Sequence, residues 1–287
     1  MIIWPKEFVY DLARRRTVVV LGSGISRNSV GTNGRIPRTW EKFLLELSKD
    51  VNPKRHITRL IHEKDYLTAC ELILKSIGRD RFNQCLKDEF LNPGYQHSEI
   101  HKWIFALDSR IVATPNFDKI YETYANHEAH ASITVKHHDD PDIAEAVRAT
   151  GRLILKIHGT IDSPNQMVFT RNEYAAARSK YANFYSLLEA LALTHTFLFL
   201  GCGVHDPDIR LLLEDIFCKH PSSPRHVFVI PRGDLHKQVI EILQESMNLS
   251  ILTYSPDNDH KELIDSVKEL SELVEAERAE LKTNGNW

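Results

Sequence analysis

The chain has 287 residues, 42% of them hydrophobic, and its 36 basic and 39 acidic side chains leave a formal charge of -3. This near-neutral balance carries no global field of the kind that marks a nucleic-acid or membrane-surface protein, although local patches leave contact with nucleic acid open. No apolar run approaches the roughly 18 residues that span a bilayer, and Met1–Lys6 lacks a signal-peptide pattern, so the expectation is a cytoplasmic protein with no membrane contact.

In chain order, Pro5 to Arg15 reads as a helix with Phe8, Val9, Leu12 and Ala13 on one face. Thr17–Leu21 is apolar or β-branched throughout, as expected of a strand buried on both faces of a parallel sheet. Helical spacing resumes at Trp40–Leu47 and continues around 55–64, 66–77 and 79–90. His97 and His101 stand four apart on a further expected helix. The remaining strands are expected at Arg110–Ala113, Leu153–Lys156, Thr196–Leu200 and His226–Ile230, with Leu249–Tyr254 as an edge strand. Helices near 117–125, 141–149, 171–193, 207–218 and 234–246 connect them. This alternation predicts an α/β fold with a parallel sheet and right-handed crossovers. The final element, Lys261 to Leu281, spaces Leu263, Val267, Leu270, Val274 and Leu281 as an apolar seam interrupted at Glu277. Such a seam docks on its own domain or on a second subunit.

Four short motifs follow apolar runs: Gly22-Ser23-Gly24-Ile25-Ser26, Thr114-Pro115-Asn116-Phe117-Asp118, Lys156-Ile157-His158-Gly159 and Gly201-Cys202-Gly203. In an open α/β sheet the carboxyl ends of the strands converge on one crevice, so the motifs can build one nucleotide site. The glycine loop can approach a phosphate, with Arg27 adding charge, or can be a plain strand-to-helix turn. Thr114 or Asn116 can cap the next helix, and His158 can be a packed core residue or a proton-transfer group. Cys70, Cys85, Cys202 and Cys218 are scattered without a Cys-x-x-Cys pair, and no His-Glu-x-x-His pattern occurs, so neither zinc nor another metal is expected.

Together these motifs resemble the sirtuin superfamily, and more specifically the SIR2-like domains of bacterial anti-phage defence, including the stand-alone subunit of SIR2–HerA systems. The resemblance spans roughly residues 17 to 255. It implies a Rossmann-like parallel sheet flanked by helices within a single domain over 1–287: core about 17–30 and 108–255, helical insertion about 40–107, C-terminal helix 260–282. It also implies NAD as substrate, held by Gly22, Ser23, Gly24, Ile25, Ser26, Arg27, Thr114, Phe117, Gly201, Cys202 and Gly203, with Asn116, His158 and Asp118 as catalytic residues. Protein-deacylase sirtuins carry two Cys-x-x-Cys pairs after the His-Gly element, whereas this chain has no zinc-ribbon module there. Val168-Phe169-Thr170 and Glu173-Tyr174 in that segment are instead similar to the defence-type domains. The implied activity is NAD glycohydrolysis to nicotinamide and ADP-ribose, with water as acceptor. The alternatives are a protein deacylase or ADP-ribosyltransferase, and an NAD- or ADP-ribose-binding assembly module with nuclease-associated function. Control is expected from a homo-oligomer or a separate regulator, a HerA-like ATPase first and an Argonaute-like protein second, with the C-terminal helix as the dock.

Overall fold

The structure is a computed structural model that describes the chain except for residues 205–208, 211–212, 215–217, 219, 221–222 and 286–287 and the side chain at 33. Among the described residues, β1 (Thr17–Leu21), β2 (Ile111–Thr114), β3 (Thr134–His137), β4 (Leu153–Lys156), β5 (Thr196–Leu200), β6 (His226–Pro231) and β7 (Leu249–Tyr254) form one sheet. Its order is β3-β4-β2-β1-β5-β6-β7, and every pairing is parallel. The four-residue strand β3 was not expected. Its Thr-Val-Lys-His sequence is short, only partly buried and lies at the sheet edge, so it lacks the apolar run that betrays a central strand.

Alternate residues of the strands feed two cores. Val19, Leu21, Val112, Ile154, Leu198 and Leu200 pack under α1 (Lys6–Ala13), α7 (Glu99–Ala106) and the C-terminal helix (Asp257–Asn284). Val18, Val20, Ala113, Leu155, Phe197, Phe199 and Phe228 face α9 (Ile143–Arg148) and α11 (Ala182–Thr194) on the other side. A third core belongs to the helical layer of α3 (Trp40–Leu47), α4 (Lys54–His62), α5 (Tyr66–Ile77) and α6 (Arg79–Phe90), and it incorporates Phe117, Ile161, Met167 and Phe169 from the loops above the sheet. That shared core seats the helical layer over the carboxyl edge.

The helix expected over 171–193 is two, α10 (Arg171–Lys180) and α11, broken at Tyr181, whose ring turns inward onto His138 at 4.6 Å. The helix expected near 207–218 lies partly outside the described residues. The C-terminal seam is occupied by the chain itself: Leu263, Val267, Leu270, Val274 and Leu281 are buried in the first core. At the expected interruption Glu277 is only partly buried, and its neighbour Arg278 turns inward and donates to the carbonyls of Leu12 (3.3 Å), Ala13 (3.1 Å), Leu107 (3.0 Å) and Asp108 (3.3 Å). One guanidinium thus satisfies the carboxyl ends of both α1 and α7, where the helix dipole favours a cation. With its seam covered, this helix has lost the apolar face on which a partner was expected to dock. Among the described residues no helix is long and apolar enough to cross a membrane.

Candidate active site

The strand order reverses between β1 and β5, the switch point at which open α/β sheets form their binding crevice. Leu21 pairs with Leu200, so Gly22 and Gly201 leave the sheet side by side. The amide of Gly22 donates to the Leu200 carbonyl and that of Gly24 to the Gly201 carbonyl, each at 2.9 Å. A Cβ on Gly22 would lie 2.2 Å from the Gly201 oxygen, and one on Gly201, which has φ +64°, would lie 2.6 Å from the Ile25 amide. Only glycines allow this backbone contact. Because the Gly22 and Gly24 amides are engaged by β5 and its turn, the loop's face toward the cleft is made by Gly22 and Ser23. Ile25 is buried in the first core, and Arg27 is exposed and does not line the cleft.

Beside this loop, Thr114 Oγ donates to the Leu21 carbonyl at 2.7 Å and accepts from the Asn116 amide at 3.0 Å, fastening the end of β2 to β1. The helix expected to begin near Phe117 begins at Ile120 (α8, Ile120–Glu128), and Asp118 Oδ1 accepts from the Ile120 amide at 3.1 Å. That local role falls to Asp118, leaving the Asn116 side chain for the cleft. Ser26 Oγ donates to Asp118 Oδ2 at 2.8 Å, and Asn116 Nδ2 donates to Ser26 Oγ at 3.1 Å. A carboxylate only accepts, so Ser26 must give it its proton and take a hydrogen bond from the carboxamide nitrogen. This chain of donors orients the Asn116 amide. Beneath it, buried Lys156 pairs with Glu122 at 3.1 Å and donates to the Asp118 carbonyl.

His158 follows β4 and is buried, and Gly159, at φ +88°, turns the chain away from the sheet. Nε2 of His158 lies 3.0 Å from the Tyr174 hydroxyl on α10. The N-terminus of α10 is fixed by a Thr170–Glu173 capping box, by an Arg79–Glu173 ion pair, and by Arg171–Asp65 (2.6 Å) and Asn172–Glu71 (2.9 Å) contacts to α5. Near His158, His138 is buried, and among the described residues neither of its ring nitrogens has a hydrogen-bond partner. Burial pushes its pKa down to about 4, with nearby Asp139 opposing and His158 adding to the shift.

The resulting cleft encloses about 670 Å³ of non-protein space, part of it open solvent. It brings together Gly22, Ser23, Asn116, Phe117, Asp118, His158, Cys202 and Gly203 of the expected residues. Gly24, Ile25, Ser26, Thr114 and Gly201 support it from behind. Arg38, Trp40, Phe90 and Tyr174 also line it and were not expected. Arg38 pairs at 3.3 Å with buried Glu89, and Trp40 and Phe169 close around Phe117 at 5.8 and 4.1 Å. Trp40 and Phe90 come from the helical layer and Arg38 from the segment just before it, whose distance in sequence hid them; Tyr174 stood in a segment legible only through its resemblance. Among the described residues no cluster of His, Cys, Asp or Glu could hold a metal ion.

The family model for the SIR2-like domain matches residues 110–252, which run from β2 into β7. The NAD(+) hydrolase ThsA of Enterococcus faecium is 30% identical over 244 residues, 82% of this chain and 47% of that protein. The protein of the same name from Bacillus cereus is 23% identical over 98% of this chain and 58% of its own length. Defense-associated sirtuin 2 of Bacillus subtilis is 25% identical over 72% of this chain and 20% of its own. The chain thus spans about half the length of the ThsA relatives it matches. β1 and its glycine loop precede the matched residues, yet they pair directly with β2 and β5 inside them. By this match, and with its parallel sheet and a cleft at the switch point, the chain contains a SIR2-like domain.

Proposed function

We propose that the cleft hydrolyses NAD+ to nicotinamide and ADP-ribose, and that the protein acts as the NAD-depleting effector of an anti-phage defence system. The observation that carries this reading is the convergence of the oriented Asn116 amide and the His158–Tyr174 pair on one switch-point cleft. The names of the relatives, NAD(+) hydrolase and defence-associated sirtuin, support the substrate and the setting.

Breaking the nicotinamide N-glycosidic bond builds positive charge on the ribose C1′, as in glycoside hydrolysis. With its Nδ2 directed to Ser26, Asn116 offers its Oδ1 acceptor to a ribose hydroxyl or to the attacking water. His158 is the base at which the water proton ends. Asp118, with both oxygens engaged by Ser26 and Ile120, holds this arrangement in register. Ser23 and the Arg38 guanidinium are the polar and cationic groups at hand for the pyrophosphate, and Phe117 and Trp40 supply aromatic surface. The connection from β4 to β5 folds as α10 and α11, which favours water over an acyl-lysine peptide as acceptor. Restraint of such an activity is assigned to a homo-oligomer or a separate regulator, a HerA-like ATPase before an Argonaute-like protein, meeting a surface other than the buried seam of the C-terminal helix.

Purified protein incubated with NAD+, with and without acylated peptide and beside Asn116→Ala, tests the reading. Equal amounts of nicotinamide and ADP-ribose without peptide, reduced by about 10²-fold or more in the variant, are expected. Turnover that requires the peptide would replace the reading with a deacylase, and tight binding without turnover would replace it with a nucleotide-binding assembly module.

A further inference from the structure

Tyr174 stands beside His158 on the lining of the cleft. Its hydroxyl lies 3.0 Å from Nε2 of the imidazole, the two rings are 5.0 Å apart, and both side chains line the cleft. A phenol carries one proton and two lone pairs, so it can donate to an imidazole nitrogen while accepting from another group. The ring is also held from outside the pair. Thr170 and Glu173 cap the helix that carries it, and Arg79, Asp65 and Glu71 anchor that helix to the layer above. A hydroxyl fixed in this way costs no reorganisation when the reaction begins.

We propose that Tyr174 is a catalytic residue of the hydrolysis: its hydroxyl meets the attacking water, and His158 receives the proton through it. This inference rests on the hydrolase reading. As the C1′–N bond breaks, its electron pair leaves with nicotinamide, and the water oxygen forms the new C1′–O bond. The water proton passes to the Tyr174 oxygen while the Tyr174 proton passes to His158 Nε2. The imidazolium then returns its proton to solvent, so NAD+ and water give nicotinamide, ADP-ribose and one proton. The relay uses the His158 tautomer protonated on Nδ1.

Steady-state kinetics on the wild-type protein, Tyr174→Phe, His158→Ala and the double variant test the proposal, with NAD+ binding measured by calorimetry. Tyr174→Phe keeps the ring and is expected to lower kcat by about 10²-fold while binding changes by less than about threefold. Because the two groups act as one unit, the double variant should be no slower than the slower single variant. Wild-type turnover that survives Tyr174→Phe, or losses that multiply in the double variant, would overturn the proposal alone. No turnover by the wild-type protein would overturn the hydrolase reading and this inference with it. Should Tyr174→Phe melt early, 3,5-difluorotyrosine at 174 provides a nearly isosteric check. Its more acidic phenol should move the alkaline limb of the kcat profile to lower pH, since the relay needs the phenol protonated, and an unmoved limb would overturn the relay.

Discussion

Gly22 and Gly201 touch backbone to backbone, and that contact sets how little the site can tolerate. In Gly22→Ala the added methyl meets a carbonyl oxygen at 2.2 Å, so β1 and β5 must part. A loss of about 1–3 kcal/mol and of NAD+ binding is expected, read by thermal melting and calorimetry. Gly203→Ala is the matched control, since nothing among the described residues lies within 4 Å of its Cβ position, and its melting should be unchanged. The sequence showed that these glycines punctuate strand ends, because punctuation is local. It could not show that Arg27 stays in solvent or that Asn116 is steered by Ser26, since both depend on which chain segment arrives alongside. Tyr174 is the sharpest case: its partner lies 16 residues earlier, across a turn and a helix start.

At the scale of elements, Arg278 shows how an apparent flaw in a pattern can be a structural part. It follows Val274 by four residues, one past the position to which the 4-3-4 spacing of the C-terminal helix leads, and buries its charge against four carbonyls and near Asp108, at 3.7 Å. Burial works to raise the Asp108 carboxyl, but hydrogen bonds from Arg15 and Arg152 outweigh it and hold the group below the usual carboxylate range. Arg278→Met preserves much of the packing yet strands the ends of α1 and α7. We expect it to destabilise by about 2–4 kcal/mol in urea unfolding, and a change under about 0.5 kcal/mol would contradict the clamp. The long buried strands were legible because apolar runs flanked by turns have few other uses. The edge strand β3 and the break at Tyr181 were not, because each owes its form to tertiary neighbours.

Across the whole molecule, three buried histidines tie stability to pH. Burial is the leading cause that lowers His101, His138 and His226 from 6.5 to about 4, with Asp118 opposing the shift at His101 and Asp139 opposing it at His138. Unfolding frees each to bind a proton, so their contribution is complete above about pH 6.5 and is lost as the pH falls toward 4. Each is worth on the order of 3 kcal/mol across that window, so the Tm should drop clearly between pH 7 and pH 5, and an equal Tm at both would count against this burial. The α/β class and its order of strands and helices were readable from periodicity. The seating of the helical layer over the sheet was not, since it rests on Phe117 and Phe169 joining a core built by residues 43–86. The meeting of Gly22 with Gly201 also has a meaning in time. A ribosome that has just made the glycine loop must add about 180 more residues before its counterpart exists, roughly 10 to 35 s at ordinary elongation rates. Through that interval the nascent chain has at most half a sheet and no cleft, so the hydrolysis proposed for this cleft cannot begin until β5 has been made.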